Sequence, residues 1–585
     1  MVDDLVVGMA GSGGDGVVTA GESLLAAASS EGYHAMMTKS FGSQIRGGES
    51  SCRVRLSCRK ILNPGGMLDV AVVLNWEDFL RFGAELPLSS STLVIHEEKA
   101  GPPPETSATR PLSRELVFSV PITEMAKKAA GTDKAKTSVV LGLVSGWLDI
   151  PRAALLRGLK KKFGDKGAGL FEANERALAS GFEYSQTHPL AEPRVLSRPP
   201  AAAGKRLLCD GNDMCAAGAI FSGVEFFGGY PITPSTEVMQ TLSRELWQHG
   251  GVVLQAEDEI SGIGAALGAS YAGKKSMTAT SGPGMSLKTE MLGLATICEL
   301  PLVVLNVQRG GPSTGIPTKP EQADLFQAAF SAHGDVVRPV LAPTSVADTF
   351  SVTVEAFNLA EKYQTPVIIL SDQEIAQRKE TVDAIDTSQF TLEHRLLPTG
   401  ADVGDYQRFR LTESGISPVS HPGMPGCTYL GAGIEHNEHG DPTASGAMHQ
   451  RMNEKRFKKL EPLKQRRDLF QLEGTDNARY ALVSWGSTAG VAREAFQLAR
   501  VRGLDVKLLV PTLVYPVAEQ VYQDFFASVR AGLVVELSYQ AQLYRILRMF
   551  VDVPKGVLPF ARSGANPFQP NEVLDKLCEL AMAES

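Results

Sequence analysis

Gly250–Gly273, GGVVLQAEDEISGIGAALGASYAG, holds the reading that decides the fold. A short apolar run of strand length passes directly into small and apolar residues spaced for a packed helix. Between the two stand Glu257, Asp258 and Glu259. Acids near a helix N-terminus interact favourably with its free N–H groups, by roughly 0.3–1 kcal/mol each, so the cluster marks where a helix begins. The carboxyl end of a strand that feeds a helix is also where open α/β sheets bind ligands. One of the three acids is therefore a candidate to point inward.

Read outward from this unit, the same alternation fills most of the 585 residues. Near the N-terminus LVVGMAG, LDVAVVLN and STLVIHEE alternate with helical patterns such as GVVTAGESLLAAASSEG. VEFFGGYPITP, GGVVLQA, KSMTATSG, LPLVVLNVQ and TPVIILSD follow, and RYALVSWGS, DVKLLVP and AGLVVELS give the pattern a third time. Strands alternating with helices imply βαβ units and parallel sheets. The expected class is α/β, with three mostly parallel-sheet domains over 1–190, 205–379 and 477–585. A Pro- and Ala-rich stretch reads as a linker over 191–204. The tract 380–476, rich in Pro and Gly and carrying His394, His421, His436, His439 and His449, reads as a long irregular connecting segment.

Bulk composition narrows the function. The 57 basic and 65 acidic residues give −8 without long blocks, which argues against nucleic-acid and membrane-surface partners. The chain opens on acids where a secretory signal carries positive charge, and no window approaches the roughly 20 apolar residues of a membrane span. Seven scattered cysteines form no C-x-x-C, so neither a disulfide framework nor a metal or iron–sulfur site is signalled. A cytoplasmic globular protein with no metal site of its own is expected.

GSGGDG (Gly11–Gly16) follows the first strand and satisfies G-x-G-x-x-G. A dinucleotide site also needs an acid ending the second strand about 20 residues on, and EGYHAMMTKSFGSQIRGGES offers no convincing strand of that kind. A tight turn or another phosphate-bearing ligand remain open. SFGSQIRGGES (Ser40–Ser50) is a polar loop of small residues around Arg46, suited to an anion. EHNEHGD (Glu435–Asp441) places His436 and His439 three apart with acids nearby, a set able to hold a divalent ion, but without helical support for the spacing. The middle domain is denser. GGYPITPSTE has Ser235 available as a helix N-cap, TATSGPG forms an elbow, and NVQRGGPSTGIPTKPEQAD carries Arg309 and Thr314. All three loops fall at carboxyl ends of strands, as do Glu257–Glu259, so a carboxylate, a guanidinium and several hydroxyls converge at one edge.

YPITPS, TSGPG and QRGGPSTGIPT, in that order, resemble the α subunit of the 2-oxoacid:ferredoxin oxidoreductases. GSGGDGVVTAG and QIRGGES are similar to that family's γ domain, fused N-terminally as in its 2-oxoglutarate-type members. PGMPGCTYLGAGIEHNEHGDPT resembles their connecting segment, and VSWGSTAGVAREA with GLVVELSYQAQL their transketolase-like C-terminal domain. The resemblance implies a thiamine diphosphate (TPP) enzyme that converts a 2-oxoacid and CoA to an acyl-CoA, CO2 and two reduced ferredoxins, with 2-oxoglutarate as the expected substrate. Pyruvate or another 2-oxoacid is the main alternative. A self-sufficient transketolase-like enzyme and a non-catalytic subunit are further ones.

The family shares its cofactor between chains. The resemblance implies that this α chain holds the TPP pyrimidine, while a smaller β subunit holds the diphosphate, Mg2+ and a [4Fe–4S] cluster, in an (αβ)2 heterotetramer. The sequence agrees with that division, because Gly14–Gly16 opens a diphosphate motif (G-D-G) that is never completed by the required Asn. Carried onto this chain, the family pattern gives Glu259 the pyrimidine N1′ contact, with Tyr230, Pro231, Ile232 and Thr233 on the pyrimidine side. Arg309 pairs with the oxoacid carboxylate, and Thr314 and Thr233 hydrogen-bond around the reacting centre. Ser43 and Arg46 are candidates for CoA or the distal end of the substrate, with Lys319 as another possible second cation.

Overall fold

The structure is a computed structural model that describes residues 1–42, 48–164, 169–191, 194–200 and 206–583. It divides into two compact units. The first comprises Met1–Cys209 with the short returning pieces Gln377–Ala384 and Ala565–Asn571.

Its eight-stranded sheet has two halves. Val117–Val120, Leu93–Glu97, Val70–Val73 and Asp4–Gly11 lie parallel, in that order, as the alternating pattern requires. On the other side of Asp4–Gly11 the pairing turns antiparallel, through Ser50–Ser57, His34–Phe41, Lys379–Asp383 and Arg206–Cys209. The segment after the first helix, where the sequence offered no convincing strand ending in an acid, holds the strand His34–Phe41. It pairs with Ser50–Ser57 in register from His34 opposite Ser57 to Phe41 opposite Ser50. A dinucleotide-binding unit would need that second strand directly beside the first and ending in an acid; here the antiparallel Ser50–Ser57 lies between the two and the strand ends at Phe41, which removes that reading. Asp15 of the Gly-rich turn accepts from the Ser12 N–H at 3.0 Å and from Lys136 Nζ at 2.6 Å. Ser43 and Arg46 lie outside the described residues.

The second unit comprises Asp210–Ala376, Ile385–Gly564 and Glu572–Ser585 and holds two sheets. Six parallel strands run Val340–Leu341, Pro366–Asp372, Leu302–Gln308, Ser276–Thr280, Phe226–Gly229 and Val252–Gln255. A seventh, Leu513–Tyr515, joins the Val340–Leu341 edge antiparallel. The other sheet orders Phe470–Glu473, Val506–Pro511, Tyr480–Ser484, Ala531–Glu536 and Gly556–Ala561, parallel except for its first pair. Both sheets feed one apolar core that includes Phe227, Val304, Ile368, Trp485 and Leu509.

The stretch Gly250–Gly273 folds as read, into the strand Val252–Gln255 and the helix Glu259–Tyr271. Its small residues have a packing reason. A Cβ on Gly228 would collide with the main-chain oxygen of Gly262, and one on Gly262 would come within 3.1 Å of the Gly229 Cα. Helix and strand meet backbone to backbone, which larger side chains forbid.

The connecting tract is anchored by buried charge. The helix Gly446–Lys458 delivers Lys455, whose Nζ lies 2.7 and 2.6 Å from the two carboxylate oxygens of the fully buried Glu299, and Lys459 follows at 3.1 Å. Burial alone would raise the Glu299 carboxyl, but the two ammonium groups outweigh it and hold it well below the usual range. Arg395 and Glu361 make a second buried pair at 2.6 Å. His436 packs its ring 3.8 Å from that of Phe409, with Nδ1 3.0 Å from the Ile434 oxygen, and burial lowers its pKa. His439 faces Asp405 at 3.1 Å. The two histidines of EHNEHGD therefore serve different packing contacts.

Candidate active site

The site lies at one edge of the seven-stranded sheet. Four adjacent strands, Leu302–Gln308, Ser276–Thr280, Phe226–Gly229 and Val252–Gln255, end there in turn. The chain crosses from one side of Phe226–Gly229 to the other, so the strand order reverses beside it, and such a switch point opens a crevice at the carboxyl ends. Into that edge run Arg309, Ser281–Gly284, Tyr230–Thr233 and Glu257–Glu259.

The three acids divide their work. Asp258 is the helix cap, its Oδ1 accepting from the Ser261 N–H at 2.7 Å. Glu257 is exposed, and Glu259, the first helical residue, is 8% exposed. The Glu259 side chain lies against the Gly-Pro-Gly elbow: a Cβ on Gly284 would overlap Thr280 Oγ1 and stand 2.7 Å from Glu259 Cγ. Beneath the same turn lies Lys288, fully buried, its Nζ donating to the main-chain oxygen of Glu259 at 2.8 Å and to Thr278 Oγ1 at 3.3 Å. Burial pushes that ammonium down to about 8.

At the end of the adjacent strand Leu302–Gln308, Arg309 is buried and donates through Nη1 to the main-chain oxygen of Thr233 at 2.5 Å. Its Nε is buried without a partner, and burial lowers its pKa. Asp324 lies beside the Gly282 elbow, accepting from Asn306 Nδ2 at 3.0 Å. Burial pushes its carboxyl up to about 6.

The loop that carries Arg309 and Thr314 is braced at its base. The Gly310 oxygen accepts from the Ile316 N–H at 2.9 Å. Glu321 accepts from the Gly311 N–H and the Gly564 N–H, both at 2.9 Å. Gln322 donates to the Trp485 oxygen at 2.7 Å and accepts from the Leu537 N–H at 2.8 Å, binding the loop to the five-stranded sheet. Thr314 stands exposed at the loop tip, Tyr230 is 40% exposed, and Pro231 and Ile232 are half-buried.

The structure thus joins Arg309 to Thr233 and places Glu259 against Thr280 and Gly284. It leaves Thr314 free of direct contact with them among the described hydrogen bonds. Ser235 does not cap its helix; its Oγ donates instead to the Ile232 oxygen at 3.0 Å, because its backbone is already helical. Lys288, Asp324 and Glu321 were not singled out in the sequence. Each is a charged residue in a polar-looking stretch, and only the fold reveals its burial.

Two family profiles match the chain. One described as pyruvate ferredoxin/flavodoxin oxidoreductase covers residues 6–184, and one described as pyruvate flavodoxin/ferredoxin oxidoreductase, thiamine diphosphate-binding, covers residues 217–455. The 2-oxoglutarate oxidoreductase subunit KorA of Mycobacterium tuberculosis is 34% identical over 86% of this chain and 81% of its own length. The chain belongs to the 2-oxoacid:ferredoxin oxidoreductase family. The α subunit of the 2-oxoacid:ferredoxin oxidoreductase of a Sulfolobus species is 30% identical over 97% of this chain and 96% of its own. The solved 2-oxoglutarate:ferredoxin oxidoreductase of Magnetococcus marinus, with 2-oxoglutarate, coenzyme A and succinyl-CoA bound, is 36% identical. It covers 99% of this chain and 100% of its own, with a TM-score of 0.92. In this family member the N-terminal profile and the thiamine-binding profile lie on one polypeptide. Among the described residues no helix is long and apolar enough to cross a membrane.

Proposed function

We propose that this chain is the α subunit of a 2-oxoglutarate:ferredoxin oxidoreductase, which converts 2-oxoglutarate, CoA and two oxidised ferredoxins to succinyl-CoA, CO2 and two reduced ferredoxins, reversibly. The observation that carries the reading is the full-length likeness to the Magnetococcus marinus enzyme, whose solved form holds that substrate and that product. Bound at the site, thiamine diphosphate supplies the carbon nucleophile and the electron sink for decarboxylation.

This chain's residues fit the pyrimidine half of that cofactor. A ring nitrogen that must share a proton calls for a buried carboxyl at a fixed position, and Glu259, held between the elbow and Lys288, is such a group. Tyr230, Pro231, Ile232 and Thr233 form the turn that follows the strand Phe226–Gly229, which is next to Val252–Gln255 in the sheet. The diphosphate half fits poorly, since Asp15 of the incomplete G-D-G motif is committed to Lys136 at 2.6 Å. Mg2+, the diphosphate contacts and a [4Fe–4S] cluster are therefore assigned to a smaller β subunit, in a cytoplasmic (αβ)2 assembly.

Arg309 holds the oxoacid carboxylate. Its spare donors, in a site where desolvation has already been met by the fold, make a bidentate pair strong and directional. Fixing the carboxylate orients the neighbouring carbonyl, which is chiefly a positioning effect. Thr233 and Thr314 hydrogen-bond around that centre. Ser43 and Arg46 are assigned to CoA or the distal end of the substrate, and Arg46, Lys319 or a lysine of the β subunit is the second cation for a distal carboxylate. The functional segments are 1–190 (γ-type), 205–379 (pyrimidine-binding), 380–476 (connecting) and 477–585 (transketolase-like), with the linker at 191–204.

The test is anaerobic co-expression with the neighbouring smaller reading frame and a viologen-reduction assay on 2-oxoglutarate, pyruvate and a branched-chain oxoacid, each with and without CoA. CoA-dependent reduction with 2-oxoglutarate alone supports the proposal. Activity with another oxoacid only would discard the substrate, and none from an iron-loaded complex would discard the function.

A further inference from the structure

Lys288 is hard to account for as a stabilising residue. Its side chain is fully buried, and its Nζ meets two neutral acceptors, the Glu259 main-chain oxygen at 2.8 Å and Thr278 Oγ1 at 3.3 Å. A desolvated ammonium needs a compensating charge, and without one its burial is strongly unfavourable. No carboxylate of the described residues makes an ion pair with it; the negative charges that act on it are Glu259 first and Asp258 second. Its position also opposes the helix. The groups left unpaired in the first turn of Glu259–Tyr271 are N–H donors, which an ammonium cannot satisfy. A cation there runs against the helix dipole as well. A methionine, like the neighbouring Met285, would fill the space at less cost.

The geometry points to a role for Lys288 as a positioning residue for Glu259. It fixes the main chain of the turn that carries the carboxyl, and it places a buried positive charge next to that carboxyl. The inference rests on the reading of Glu259 as the proton-sharing group. The surroundings leave Lys288 that task almost alone. Asp258, on the same turn, faces solvent, the strand Ser276–Thr280 presents the hydroxyls of Thr278 and Thr280, and the helix Gly282–Leu287 carries no charge. Asp324 stands on the far side of the Gly282 elbow, and the strand Leu302–Gln308 offers only the amides of Asn306 and Gln308.

The test uses the complete αβ complex with Lys288→Met, which removes charge and donor, and Lys288→Gln, which keeps a donor. Glu259→Gln serves as the control. The first readout needs no turnover: the protons taken up when thiamine diphosphate binds at pH 7, measured calorimetrically in buffers of different ionisation heat. The second is the acid limb of kcat/KM. Removing a positive charge beside a carboxyl favours its protonated form, so both Lys288 variants should take up fewer protons than the wild type. Their acid limbs should rise by about one pH unit, a tenfold change in proton affinity, with KM for the 2-oxoacid nearly unchanged. Wild-type uptake and an unmoved limb in folded Lys288→Gln, with Glu259→Gln inactive, would overturn the role of Lys288 alone. Glu259→Gln turning over near the wild-type rate would overturn the reading of Glu259 and the inference with it.

Discussion

Arg309 reaches from the end of the strand Leu302–Gln308 to the turn after Phe226–Gly229, and its guanidinium donates to the main-chain oxygen of Thr233 at 2.5 Å. One donor is spent on the fold, which fixes the plane of the others. A lysine could hold the Thr233 oxygen but would present no planar fork to a carboxylate.

Arg309→Ala should therefore cut kcat/KM for the 2-oxoacid by about 10- to 100-fold, the loss of a charge-assisted hydrogen bond of roughly 1.5–3 kcal/mol. Thiamine diphosphate affinity should change little. Steady-state kinetics beside calorimetric cofactor titration checks both halves, and equal loss of the two would assign Arg309 to the cofactor instead.

Gly284→Ala tests the elbow. Its added methyl would have to displace Thr280 Oγ1 or the Glu259 side chain, whose Cγ would be 2.7 Å away. Overpacking of this kind costs about 1–3 kcal/mol, and here the group pushed aside is the candidate proton-sharing acid. Turnover should fall at least as far as in Glu259→Gln, with a drop of only a few degrees in Tm. A variant with normal turnover would separate Glu259 from the chemistry.

Asp324 supplies a pH signature. Its carboxyl is raised from 3.8 to about 6 because burial disfavours the charged form. The folded protein therefore holds more protons than the unfolded chain between these values, and stability falls as pH rises through that window. Above pH 6 the accumulated loss is on the order of 2–3 kcal/mol. Asp324→Asn should remove that slope, so the variant gains on the wild type from pH 4 to 6 and keeps a constant lead above it. Denaturant melts across pH 4–8 would show this, and parallel curves would refute it.

Glu299→Gln tests the anchor of the connecting tract. It would leave Lys455 and Lys459, both buried, without their shared counterion. Breaking a buried pair by removing one partner costs about 3–5 kcal/mol. Proteolysis of the native protein should then begin within 446–459, and an unaltered digestion pattern would mean that the tract is held by other contacts.

Most of the parallel strands of both units were legible because each is a short apolar run between turn signals, as in LVVLNVQ and VIILSD. The antiparallel half of the N-terminal sheet was not. In HAMMTKSF the polar Thr38, Lys39 and Ser40 interrupt the apolar pattern, yet pairing on both sides makes it a strand. That one of Glu257–Glu259 points inward could be suspected because three acids at one helix start exceed what capping requires, and the family resemblance singled out Glu259. Lys288 and Glu299 could not, since a charged residue normally reads as surface and only partners far along the chain, such as Lys455, reveal otherwise. Ser235 misled for the opposite reason, a favourable cap residue in a backbone that leaves its hydroxyl another partner.

The strand Leu513–Tyr515 hydrogen-bonds along Val340–Leu341, although most of its neighbours in sequence build the other sheet. A polypeptide ending after Asp476 would bare that edge, and an uncovered edge strand recruits whatever strand it meets, including another copy of itself. Gene fragments encoding the thiamine-binding region alone should accumulate as aggregates, whereas co-expressed halves that restore the missing strand in trans should stay soluble. For anyone splitting or recombining subunits of this kind, the usable seam is set by where this strand lies rather than by where the linear sequence changes character.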